Sequence, residues 1–312
     1  MEKELTEVSL KQIILYLEKV SAKFEFYGNV EDKIVGFSSF SNYQNNTITW
    51  IKDFYRYQKY KNEEKQIIPA LIVIDREVDN VSDYANKLVC DNPKYVFALI
   101  LREFFEQKVN TGIGEGSVVS KNAFLQEDVS IGCNCVIEDD VIIGSGTRIY
   151  HNVIIRRGTI IGKNCIIKSG TVIGEEGYGY SRNEDEIIHV PHLGYVVLED
   201  EVEIGSNCSI DRGTMENTVV GKGSKIDNLC HIAHNVQIGR RVMIVAGSII
   251  CGSVHIKDRA YIAPGGIIKN QVEIGEKCII GMGSVVLSNT QKEKVLVGVP
   301  AKNLRNVKNE DL

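Results

Sequence analysis

Residues 131–173 read IGCNCVIEDDVIIGSGTRIYHNVIIRRGTIIGKNCIIKSGTVI, with isoleucine at 131, 137, 143, 149, 155, 161, 167 and 173. Every gap is six. Outward from this stretch the same register starts at Ile113, passes Val119 and Leu125, and breaks over GEEGYGYSRNEDEIIHVPHLGYVV. It resumes at Leu198, Ile204 and Ile210, shifts over DRGTMENTV, and runs unbroken from Val220 to Val286. Glycine often follows the aliphatic residue, and the fifth place of the hexad is usually Val, Ser, Thr, Cys or Gly. The pattern predicts a solenoid in which each hexad supplies a short strand and a turn and three hexads close one triangular coil. The large aliphatic side chains stack from coil to coil inside it. Coils paired by parallel hydrogen bonds about 4.8 Å apart would make roughly eight or nine turns, a rod about 40 Å long. The expected fold is mainly β, a left-handed parallel β-helix, which is an exception to the right-handed crossover rule.

The chain around this repeat has a different texture. Residues 8–22 (VSLKQIILYLEKVSA) carry the i, i+3, i+4 apolar spacing of an amphipathic helix, and PKYVFALILREFFEQ a second one. KIVGFSSF, NTITWIK and PALIVID read as strands between them. The expected organisation is an α+β domain over 1–108, the β-helix over 109–288 with a loop insertion at 175–197, and a short C-terminal tail over 289–312.

Composition narrows the function. Of 312 residues, 43% are hydrophobic and 25% charged, as in ordinary globular chains, and 36 Lys+Arg against 41 Asp+Glu leave a formal charge of −5. No excess of positive charge points to nucleic acid. The sequence has no membrane-length apolar run and no signal-peptide h-region at its start, so no membrane span is expected and a cytoplasmic location is. The eight cysteines show no CxxC and no zinc spacing, and no metal site is expected. Five of them (Cys135, Cys165, Cys208, Cys230 and Cys278) fall in the fifth hexad place, which points to packing in a crowded corner.

A β-helix is a scaffold, so chemistry belongs where the repeat is broken or decorated. One such place is the insertion, rich in Gly, Tyr and His. Another is KIDNLCHIAHNVQIG, where His231 takes the sixth place of its hexad and His234 the third place of the next. Both side chains should project outward. Eighteen residues beyond His234, one coil along the same corner, stands Gly252, whose missing side chain would leave its N–H open to a ligand. A histidine base beside an open N–H donor is the minimal apparatus for acyl transfer. A catalytically silent scaffold and a zinc-dependent hexapeptide enzyme are the competing classes; intact IAHNV argues against the first, and the histidine spacing against the second.

The hexads resemble those of the hexapeptide acyltransferase superfamily. SGTVIGEEGYGY, VPHLGYVVLEDEVEIGSNCSIDRG and KIDNLCHIAHNVQIG, together with GFSSF and TITWI in the first domain, resemble the UDP-3-O-(3-hydroxyacyl)glucosamine N-acyltransferase family of lipid A assembly and its relatives that N-acylate nucleotide-linked amino sugars. The resemblance implies a homotrimer with sites between subunits and no tightly bound cofactor. It makes His234 the general base, Gly252 the oxyanion donor and Asn235 a lining residue of the pantetheine groove. Gly177, Tyr178, Gly179, Tyr180 and His192, with Asp211, fall to the acceptor side, and Arg156 and Arg157 either pair with phosphates or occupy an exposed corner. The family carries an aromatic residue and a histidine where this chain has Arg156 and Arg157, and a second histidine near Asn270 and Gln271. The ending VLVGVPAKNLRN resembles that of coenzyme A-dependent acyltransferases. These departures favour acyl-CoA as donor and a UDP- or dTDP-linked amino-deoxysugar as acceptor, with acyl carrier protein and the lipid A acceptor as the alternative.

Overall fold

The structure, a computed structural model, describes residues 7–61, 68–80, 82, 84–106 and 111–308. Residues 1–6, 62–67, 81, 83, 107–110 and 309–312 lie outside the described residues, and with them the expected domain boundary and the last residue of the second expected helix. The chain divides into two compact units, Met1–Lys108 and Val109–Leu312.

In the first unit the helix Leu10–Lys19 opens on a reciprocal cap. The Gln12 N–H donates to Ser9 Oγ while the Ser9 N–H donates to Gln12 Oε1, which satisfies two amides that a helix start otherwise leaves free. The helix Pro93–Phe104 begins with Asn92 accepting from the Tyr95 N–H and with proline in its first turn, where the absent N–H costs nothing. A five-stranded sheet runs in the order Glu25–Tyr27, Lys87–Val89, Leu71–Ile74, Thr47–Trp50, Gly36–Phe37. Leu71 and Val73 pack with Leu10, Ile13, Leu17 and Ile100 on one face. Ile72 and Ile74 pack with Ile51, Tyr57 and Val78 on the other. Both faces are therefore covered, which is why LIVI shows no polar alternation. Glu25–Tyr27 and Lys87–Val89 went unforeseen because each is three residues long with charged members, and only pairing within the sheet, Glu25 against Val89 and Val89 against Ile74, makes them strands. The short helices Phe54–Lys61 and Arg76–Asp79 were missed as well, since neither carries a two-turn apolar stripe.

The second unit is a left-handed parallel β-helix of two-residue strands stacked into three parallel sheets. Register is strict: Val136 pairs with Ile154 and Ile137 with Ile155, one coil apart, and the step recurs to Ile268 against Val286. In most strands the first residue faces out and the hexad aliphatic, from Ile131 on, is buried in one continuous column. The fourth hexad place turns the corner with a left-handed backbone, as at Asn134 (φ 56°), Asn164 (φ 53°) and Asn235 (φ 60°), and asparagine tolerates that region better than other non-glycine residues.

The fifth place often holds a short donor. Ser117 Oγ, Thr147 Oγ1, Thr171 Oγ1 and Ser224 Oγ each donate to a carbonyl of the next coil at 2.6–2.8 Å. Cys135, Cys208 and Cys278 do the same through Sγ at 2.8–3.0 Å. Elsewhere the slot is filled by a buried valine such as Val141, Val153 or Val242, and the cysteines there are free and buried.

Two expectations are revised. The insertion is not featureless: Tyr180–Arg182 and Ile187–His189 form an antiparallel ribbon, after which Leu198 pairs with Ile161 and the sheet continues. Nor is the stretch from 289 a simple tail. Lys294–Gly298 adds to the β-helix sheet with Leu296 opposite Ile280, and Ala301–Asn306 folds back on it. Burial of Leu296 explains the addition, because it extends the apolar interior column past the last coil.

Interior aliphatics should govern stability. Ile262→Ala, at a fully buried position, is expected to cost about 2–5 kcal/mol. Truncation of the exposed Met282 should stay within about 0.5 kcal/mol. Urea denaturation of the two variants checks the contrast.

Candidate active site

His234 stands in the third hexad place, just before left-handed Asn235, and Gly252 holds the same place one coil on, before Ser253 (φ 57°). The corner therefore stacks the two. A Cβ built on Gly252 would lie 2.7 Å from His234 Nε2 and 2.8 Å from Cε1, so only glycine lets the ring rest there. In several other coils the third-place N–H donates to a side chain of a neighbouring coil: Cys133 to His151 Nδ1, Lys163 to Asp200 Oδ1, Arg240 to Asp258 Oδ1. Among the described residues the Gly252 N–H meets no such acceptor, while its carbonyl accepts from the Gln271 N–H.

Asn235 sets the tautomer of the half-buried His234. Its Oδ1 accepts from the Thr214 N–H at 3.1 Å and from Thr214 Oγ1 at 2.8 Å, and a backbone N–H can only donate. The atom 3.0 Å from His234 Nδ1 is thus an acceptor, which assigns the proton to Nδ1 and leaves the Nε2 lone pair toward Gly252. That is the form a base needs. Asn235 is itself tied down, its N–H donating to Thr218 Oγ1 at 2.9 Å. Thr214 was not foreseen; the shift of the hexad register over DRGTMENTV was the available signal.

The insertion supplies the other wall. His192 is 1% exposed, its ring centroid 5.1 Å from that of His234 at an interplanar angle of 75°. Its own segment is anchored to the same loop as Asn235, with the Leu193 N–H donating to the Thr214 carbonyl at 2.7 Å. Among the described residues neither ring nitrogen of His192 has a partner at hydrogen-bonding geometry. Burial, reinforced by neighbouring His234, holds its pKa below the ordinary 6.5; the Val190 carbonyl and Glu176 pull the other way. A Cβ on Gly177 would lie 3.0 Å from Asp211 Oδ2, 3.2 Å from His234 Cδ2 and 3.3 Å from His192 Nε2, so these three side chains converge on one glycine. Asp211 is 4% exposed and its pKa is raised by burial, a rise that His231, with Nε2 at 3.7 Å, partly offsets.

The remaining expected site residues lie further out. Tyr178 and Tyr180 are exposed, with ring centroids 4.9 Å apart, and Tyr180 continues to His189 at 5.2 Å and His189 to His192 at 5.7 Å. Arg156 sits 2.9 Å from Glu138 and 3.6 Å from Glu175, and Arg157 lies 2.8 Å from Asp140. Both cations are already matched by carboxylates of this chain. Among the described residues no cluster of His, Cys, Asp or Glu is placed to hold a metal ion, and no helix is long and apolar enough to cross a membrane.

This combination of coil and corner is the architecture of a hexapeptide-repeat β-helix. The family described as "Bacterial transferase hexapeptide (six repeats)" matches residues 140–175 and 217–252, the second segment holding both His234 and Gly252. More particularly, the chain is 52% identical over 79 residues to a UDP-3-O-acylglucosamine N-acyltransferase of Methylorubrum extorquens, and 49% identical over 79 residues to one of Granulibacter bethesdensis. The matched stretch is 25% of this chain and spans only 22% and 23% of the length of those curated relatives. Among solved structures it resembles the Francisella novicida UDP-N-acetylglucosamine acyltransferase, at 25% identity and a TM-score of 0.57 over 62% of this chain and 70% of that one.

The displaced pKa of His192 gives a test of its burial. The unfolded chain binds a proton at the ordinary 6.5 and the folded chain only at lower pH. The stability His192 contributes is thus complete above 6.5 and is lost as pH falls toward the folded value. Thermal melts from about pH 7.5 to about pH 5 should show the parent losing stability relative to His192→Phe. A difference independent of pH would show that His192 titrates normally.

Proposed function

We propose that this protein is an N-acyltransferase that moves an acyl group from a thioester to the amine of a UDP-linked 3-O-acylglucosamine. The observation that carries the reading is the approach of His234 Nε2 to the side-chain-free Gly252, whose N–H meets no other acceptor among the described residues. His234 Nε2 takes the amine's proton as nitrogen attacks the thioester carbonyl, forming the N–C bond. The Gly252 N–H donates to the oxyanion that develops there. The C–S bond then breaks, and the proton on His234 passes to the departing thiolate.

The acceptor follows the names of the curated relatives, which favour the lipid A substrate over the amino-deoxysugar expected from the sequence. Arg156 and Arg157 have no phosphate role in this reading, because Glu138 and Asp140 already neutralise them. The donor is an acyl thioester, and acyl carrier protein and acyl-CoA are the two arms of the test. With UDP-3-O-acylglucosamine as acceptor, one acyl mass should be gained from at least one donor. His234→Ala should lower kcat/KM about 10²–10⁴-fold without unfolding the chain. Full activity in that variant would mean that the base lies elsewhere.

The reading includes a homotrimer with sites between copies. Its support is the outward file on one sheet, where Val118, Val136, Ile154 and Val172 are succeeded by Ser209, His231 and then Ile249. Aliphatic residues facing outward beside the site residue His231 suit a partner surface. Ile249→Asp should therefore yield monomers by light scattering and lose turnover together with assembly.

A further inference from the structure

Four groups close around the imidazole of His234. Two of them, Asn235 at Nδ1 and Gly252 beside Nε2, belong to the coils. The other two belong to the excursion that leaves the coil after Gly174: Gly177, whose Cβ would lie 3.2 Å from Cδ2, and His192, edge-on at 5.1 Å. A single hydrogen bond to Nδ1 leaves the ring free to rock about its Cβ–Cγ bond, and contact on the opposite edge removes that freedom. We propose that Gly177 and His192 are positioning residues for His234, holding its imidazole so that Nε2 stays against Gly252.

This inference rests on the acyl-transfer reading for its kinetic consequence, though not for its geometry. His192 suits the role because its nitrogens are buried and, among the described residues, unpartnered, so that it packs against His234 without a hydrogen bond of its own to it. A group whose polar atoms are unused can be replaced by an apolar isostere at little cost, whereas a group that binds substrate through those atoms cannot. Gly177 suits it because Asp211, His234 and His192 already crowd the place of its missing Cβ, and a methyl there must push the ring.

The test is a set of three variants, each with intact folding checked by circular dichroism: His192→Ala, His192→Phe and Gly177→Ala. Kinetics with UDP-3-O-acylglucosamine should show kcat lowered about tenfold to a hundredfold in His192→Ala and Gly177→Ala with acceptor KM little changed. His192→Phe should recover most of kcat. Imidazole ¹⁵N spectra of the substrate-free protein should show His234 as the Nδ1-protonated tautomer in the parent and in His192→Phe, and a tautomer mixture in the other two. The proposal falls if His192→Phe and His192→Ala raise acceptor KM equally with kcat unchanged, since His192 would then be a substrate contact. It also falls if the His234 spectrum is the same in all four proteins. If the parent transfers no acyl group, the functional reading fails while the spectra still decide the positioning.

Discussion

Everything in the second unit depends on the register of parallel pairing, in which each strand lies over the strand one coil before it with the aliphatic residue directly above its equivalent. One coil cannot bury its own apolar side, so the interior column is stable only as a stack. The same constraint that aligns Ile232 under Ile250 aligns the third-place residues beside them. His234 thus meets Gly252 as a consequence of stacking, with no long-range search of the chain. The corner contributes too, since most turns take a left-handed fourth place, and at Asn235 that residue also orients the imidazole.

The coils supply His234 and the open amide of Gly252, while the excursions supply their environment. Burial works in opposite directions on the two flanking groups, raising Asp211 and lowering His192, and in each case favours the uncharged form. Thr214 joins the two excursions, accepting from the Leu193 N–H and donating to Asn235 Oδ1, so the segment that carries His192 and the residue that orients His234 share one support.

Sequence reading worked where structure is periodic and local. The hexad fixes which residues are inside, and burial of Ile137, Ile161, Ile232 and Ile262 follows from position alone. The fifth-place cysteines were legible as packing residues, although their donation to the next coil's carbonyl required the stack itself. In the first unit the long helices carried their own caps and stripes, and the short strands Glu25–Tyr27 and Lys87–Val89 did not, because their partners lie far away in sequence. Lys294–Gly298 was hidden for a related reason, since its strand character comes from covering the final coil.

For the site, the sequence by itself determined that His234 and Gly252 share a corner, because a fixed repeat converts a separation in sequence into a separation in space. It also marked the two excursions, as interruptions of that repeat. Only the tertiary structure decided what the excursions do: that His192 is buried against His234, that Gly177 lies where three side chains meet, and that Arg156 and Arg157 are held by Glu138 and Asp140. An excursion has no period, so its path is set by contacts such as Leu193 to Thr214 that no local pattern encodes.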